Sequence, residues 1–197
     1  ETRRQQVLDA ALEVFARDGY GNAAVDDIAR VSSTSKGGVY FHFPSKQALF
    51  LALMDEAGGM LLDRVEQAMA AESDPLARGD AALKSALATF GKNRTLARLL
   101  LVEAVGAGKE FHLKLSELHA AFAALITRFL DEAVASGSLP AHDTALAGIA
   151  WFGAINQVVT RWVLTGEPRK LEAVYPELRA LLVHGVAGAG VDREVAR

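Results

Sequence analysis

The chain has 197 residues, 51% of them apolar, which is enough for one or two domains with a buried core and too apolar for disorder. The 21 Lys and Arg against 24 Asp and Glu leave a net charge of −3, which excludes a histone-like polycation. The absence of Cys excludes disulfide scaffolds, thiolate zinc sites, iron–sulfur clusters and cysteine nucleophiles.

Nearly every segment has helical spacing, and no strand pattern or internal repeat stands out. Thr2 and Gln5 have capping-box spacing, Val7, Ala11, Leu12, Val14 and Phe15 form an apolar stripe, and Gly19 supplies the stop. With Glu1 directly at a helix start and no secretory pattern, the expectation is a cytoplasmic chain with residues upstream of Glu1. A short helix follows over 25–31, with Asp26 and Asp27 in its first turn, where the helix dipole favours acidic groups. Residues 32–35 are a polar turn, and a second short helix over 35–41 ends before Pro44.

Ser45 caps a long helix over 45–71, which Gly58-Gly59 is expected to interrupt at about 1 kcal/mol per Gly relative to Ala. Asp74-Pro75 starts a helix over 75–92, and 94–107 forms the next, broken near Gly106 and Gly108. Phe111, Leu115, Leu118, Phe122, Leu125, Phe129 and Ala133 then step along one helical face until Gly137. Helices over 143–165 and 171–187 and a Gly-rich tail complete the chain. The apolar run from Thr144 to Thr160 is shorter than the roughly 20 residues of a spanning helix, and Asn156 and Gln157 lie inside it. It reads as a helix buried in protein, with no role for a membrane. The expected fold is all-α, about nine helices, with a compact unit over 1–43, a larger helical body over 44–197 and helix 45–71 joining them.

Two short helices around a four-residue polar turn form a helix-turn-helix pattern, whose second helix enters the DNA major groove. Residues 25–50 read VDDIARVSSTSKGGVYFHFPSKQALF. Together with the preceding helix ending in Gly19-Tyr20, this segment resembles the TetR family of bacterial transcriptional repressors in ordered detail from Val7 to Phe50. The resemblance implies contact with a double-stranded DNA operator through Thr34, Ser35, Lys36, Gly37, Tyr40, His42 and Lys46, with Val39 and Phe43 in the core. On their own terms, small residues at 35–38 open a helix start to phosphate, and Lys36 and Lys46 supply cations. Ala24 stands where a Ser or Thr cap is usual, Ser33 where Gly is common, Thr34 where an apolar residue is common, and Gly38 where Thr or a base-contacting side chain is frequent. Residues 1–50 carry six basic and six acidic groups, so DNA affinity rests on where the cations are placed.

In that family the remaining helices enclose a small-molecule pocket and the last two pair in a homodimer. The resemblance therefore implies an effector-binding and dimerisation body, and, with no Cys and no close His pair, no cofactor and no metal are expected. Pocket candidates are Phe90, Leu99, Leu100, Glu103, Phe111, His119, Phe122, Ile126, Trp151, Phe152 and Gln157. Glu103 stands in an otherwise apolar run, with Arg98, Arg161 or a ligand as its candidate partners. Trp151, Trp162, Leu178 and Leu182 are the dimer candidates, because the helix over 145–164 is apolar nearly all round. The body has no concentrated charge cluster, which favours an apolar effector, and its LLLVEAVG run is similar to family members that sense fatty acyl-coenzyme A.

An enzyme is disfavoured. The five His form no close metal-binding pair, and no phosphate loop, nucleophile elbow or dinucleotide fingerprint is present. The alternative is an all-helical protein-interaction module without DNA binding, which leaves Ser35-Lys36-Gly37 and Tyr40 unexplained.

Overall fold

The computed structural model describes residues 2–106 and 108–188, and these are built from nine helices. The expected Gly-rich tail lies outside the described residues. The helices are α1 (Arg3–Asn22), α2 (Val25–Val31), α3 (Lys36–His42), α4 (Lys46–Ala70) and α5 (Pro75–Lys92). They continue as α6 (Arg94–Arg98 running through Leu99–Glu103 into Ala104–Gly106), α7 (Lys109–Ala135), α8 (Thr144–Thr165) and α9 (a 3-10 turn, Leu171–Val174, leading into Tyr175–Gly188).

Local chemistry places most of the ends. Thr2 Oγ1 accepts from the Gln5 N–H, but the Gln5 side chain turns to Asp9 and Glu56 instead of closing the box. Gly19 interrupts α1 with φ +75, a conformation that costs a residue bearing Cβ and that Gly adopts freely. Ser35 Oγ caps α3, Ser45 Oγ caps α4, Asp74 caps α5, and Asp143 caps α8, which Gly166 closes in the left-handed conformation. Ala24 offers no side-chain cap to α2. Ser33 sits at φ +52, which accounts for Gly being the more comfortable residue there.

The expected interruption at Gly58-Gly59 does not occur, and α4 runs through both glycines. Their cost of about 1 kcal/mol each is outweighed by the buried face of Leu53, Met54, Ala57, Leu61 and Val65. Within α6, Leu99–Glu103 forms a π-turn, an insertion that periodicity alone does not reveal.

The helices group into two compact units, one of residues 1–60 with 93–117 and the other of 61–92 with 118–197. The sequence boundary at 43/44 falls inside the first unit, and the change of unit along α4 falls one residue after Gly59. In the first unit α1 packs on α2 and α6, and α2 packs on α3. Its centre is a ring cluster in which Phe50 stands edge-on to Phe15, Tyr20 and Phe111 at 4.9–5.1 Å. In the second unit α5 packs on α9, and α9 touches α8.

Candidate nucleic-acid interface and effector-binding body

Helix α3 divides cleanly into two faces. Val39 and Phe43, four residues apart, are buried, as the sequence implies. Ser35, Lys36, Gly37, Tyr40 and Phe41 are exposed, while Thr34 and His42 are half-buried. The Lys36 Nζ pairs with Asp26 Oδ2 at 2.8 Å, which raises its pKa and keeps it charged. Both groups are exposed, so an incoming phosphate displaces the carboxylate at little cost. A Cβ on Gly38 would stand 2.5 Å from Thr34 Oγ1, so the bare position lets the turn fold close over the helix start.

Lys46 opens α4, as the sequence suggests, and its ammonium is engaged within the first unit. Its ammonium donates to the carbonyls of Tyr20 at 2.8 Å, Gly21 at 3.3 Å and Ala23 at 3.0 Å. It also sits 4.7 Å over the Tyr20 ring. These carbonyls belong to the end of α1, where no further helix turn supplies donors. Here Lys46 caps α1 with all three of its protons and ties α1 to the start of α4.

Phe41 was not among the sequence candidates, yet it is 84% exposed and its ring stands edge-on to His42 at 5.1 Å. The signal was available. Residue 41 lies two positions from both Val39 and Phe43, about 200° around the helix from each, so it must point away from the core they enter.

The eleven effector candidates divide between the two units. In the first, Leu99 and Leu100 are buried within the π-turn, and Phe111 is a member of the core ring cluster. The Glu103 carboxylate takes the Arg98 option, with Nε–Oε1 3.4 Å. It also abuts Gly19, where a Cβ would come within 3.2 Å of Oε2. In the second unit His119 packs on Phe152 at 4.8 Å, and Phe122 stacks on Phe152 at 6.2 Å. Trp151 tilts against Phe129, Phe90 is buried, and Ile126 is half-buried. Gln157 is exposed. The His119 Nε2 is buried and has no hydrogen-bond partner among the described residues, and burial lowers the pKa of the imidazole.

Three of the four dimer candidates are interior to the single chain: Trp162, Leu178 and Leu182 are buried. Trp151 is half-buried against Phe129. The apolar surface left uncovered is a different stripe of the same helices. Leu146, Ile149 and Leu164 of α8 are each 63% exposed, and Leu181 of α9 is 73% exposed. Exposed Gly153 and Gln157 continue that stripe at helical spacing. Periodicity marks a helix with two apolar faces but does not say which one its own chain covers.

No helix of the described residues is long and apolar enough to cross a membrane. The family model for bacterial regulatory proteins of the tetR family matches residues 7–53, and the model for the YsiA-like protein C-terminal region matches residues 54–185. The fatty acid metabolism regulator protein of Bacillus subtilis (strain 168) is 26% identical over 182 residues, covering 92% of this chain and 94% of that protein. The solved structure of the fatty acid degradation regulator FadR from Bacillus halodurans superposes with a TM-score of 0.88 at 26% identity, covering 94% of this chain and 97% of that one. FadR from Bacillus subtilis in complex with stearoyl-CoA superposes with a TM-score of 0.85 at 26% identity, covering 92% and 98%.

Proposed function

Because this chain belongs to the TetR family and is a ligand-responsive transcriptional regulator, we propose that it is a cytoplasmic repressor that binds a palindromic operator as a homodimer and is released from it by a fatty acyl-coenzyme A. The observation that carries the effector is the similarity, over nearly the whole of both chains, to a regulator solved in complex with stearoyl-CoA. The aromatic group of His119, Phe122 and Phe152 supports it with apolar surface and a single unpartnered polar atom.

DNA is read by the exposed face of α3. Thr34, Ser35, Lys36, Gly37, Tyr40 and His42 supply hydrogen bonds and charge, and Phe41 offers an apolar surface to a thymine methyl. Lys46 holds the end of α1 against α4. The uncovered stripe through Leu146, Ile149, Leu164 and Leu181 forms the seam with the second copy. Dimeric helix-turn-helix regulators read half-sites about 34–36 Å apart, and that is the operator spacing expected here.

The test is to select bound fragments from genomic DNA with the purified chain and then titrate the complex with stearoyl-CoA. Release at micromolar stearoyl-CoA, but not with free coenzyme A, is expected. An operator complex indifferent to every acyl-CoA chain length would refute the effector assignment.

A further inference from the structure

In the second unit, α4, α5 and α7 enclose a cleft of about 270 Å³ that no sequence candidate anticipates. Its apolar lining includes Met69, Leu125 and Phe129, all buried. Gly79 lets the Phe129 ring pack close against α5, since a Cβ there would stand 2.5 Å from the ring tip. Two ion pairs flank this apolar lining: Arg78 Nη1 with Glu132 Oε2 at 2.5 Å, and Arg128 Nη2 with Glu66 Oε1 at 2.9 Å.

Three properties narrow the occupant. The volume is below the roughly 300–1,000 Å³ of a site that encloses a whole drug-sized ligand, so the cleft takes part of one. The rim charges sum to zero, and a phosphate reaching either guanidinium would meet Glu66 or Glu132 beside it, so an anion gains little here. Each guanidinium has five N–H donors and each carboxylate several lone pairs, so the rim can donate to a carbonyl and accept from an N–H with both ion pairs intact. A neutral chain carrying both kinds of group matches that pattern. Phe129 of the cleft and Phe122 of the aromatic group lie seven residues apart on α7, on one helical face and about 10 Å along it, so the cleft and the aromatic strip share that face.

We infer that this cleft binds the amide-bearing arm of the acyl thioester, with the acyl tail along the aromatic strip and the phosphates outside. The inference rests on the acyl-coenzyme A reading above. It is tested with the full chain and three probes sharing a dodecanoyl tail: the coenzyme A thioester, the pantetheine thioester, which keeps the amides and lacks the nucleotide, and the ethanethiol ester, which has neither. The wild type should bind the first two within about threefold of each other and the third at least tenfold more weakly. Removing one ion pair whole, as Arg78→Leu with Glu132→Leu, should weaken the first two at least tenfold and leave the third unchanged. The more exposed pair, Arg128→Leu with Glu66→Leu, gives a second variant, and operator affinity without ligand checks that each is folded. Equal losses for all three probes, no loss in either variant, or a wild type that prefers the coenzyme A thioester over the pantetheine thioester a hundredfold would overturn the assignment. A wild type that binds none of the three sinks the acyl-coenzyme A reading itself, and this inference with it.

Discussion

Replacing Lys46 by Met separates two roles that a cation at the start of α4 can play. In the structure the ammonium donates to three carbonyls at the end of α1 and lies 4.7 Å over the Tyr20 ring. Hydrogen bonds to a charged group contribute about 1.5–3 kcal/mol each. Immobilising the lysine costs about 2 kcal/mol of rotamer entropy, and water partly replaces the lost donors, so the expected net loss is about 2–3 kcal/mol. With a urea dependence of roughly 2–3 kcal/mol per molar, the unfolding midpoint should fall by about 1 M at matched protomer concentration. A phosphate contact predicts something else. Two such lysines per dimer would each add about 0.9 to the slope of log K against log salt, so their removal would flatten it by about 1.8. The capping role predicts an unchanged slope for protein that is still folded. Urea unfolding and operator binding at several salt concentrations decide the matter, and a slope flattened by about 1.8 with an unmoved urea midpoint would refute the capping role.

Three other outcomes follow from the same geometry. If Phe41 meets a thymine methyl, replacing that thymine by uracil should weaken wild-type binding about fourfold, the value of one methyl at about 0.8 kcal/mol, and should not affect Phe41→Ala. Uracil scanning of the selected operator checks this, and equal sensitivity in both proteins would remove Phe41 from the interface. Ile149→Glu or Leu181→Glu should give a helical monomer in sedimentation, whereas Leu178→Glu buries an unpaired carboxylate and should lose the fold. A dimer that survives both exposed substitutions would place the seam elsewhere. Gly59→Ala meets no atom within 4 Å, so it should stabilise α4 by about 1 kcal/mol. Because the change of unit follows it by one residue, the variant should also alter how strongly effector and operator oppose each other, by part of a coupling of about 1–3 kcal/mol. Titrating effector with and without operator measures that, and an unchanged ratio would remove the hinge role from Gly59.

The sequence by itself determined where the helices lie and what the N-terminal segment resembles. The break at Gly19, three residues short of where α1 ends, the caps at Ser35, Ser45, Asp74 and Asp143 and the closure at Gly166 depend on groups within about four residues, and the chain order states those directly. The buried placement of Val39 and Phe43 was legible for the same reason, since spacing along a short helix fixes a face. Only the tertiary structure decided that Lys46 reaches back to α1, that residues 93–117 group with the first sixty, and that Trp162, Leu178 and Leu182 are covered while Leu146, Ile149 and Leu181 are not. Each of these depends on partners tens of residues away. Helical periodicity marks which side chains must leave water, but it does not encode which distant surface receives them. The π-turn in α6 is the intermediate case: its hydrogen bonds are local, yet it packs on α1 and its Leu99 and Leu100 are buried, and the local sequence states neither.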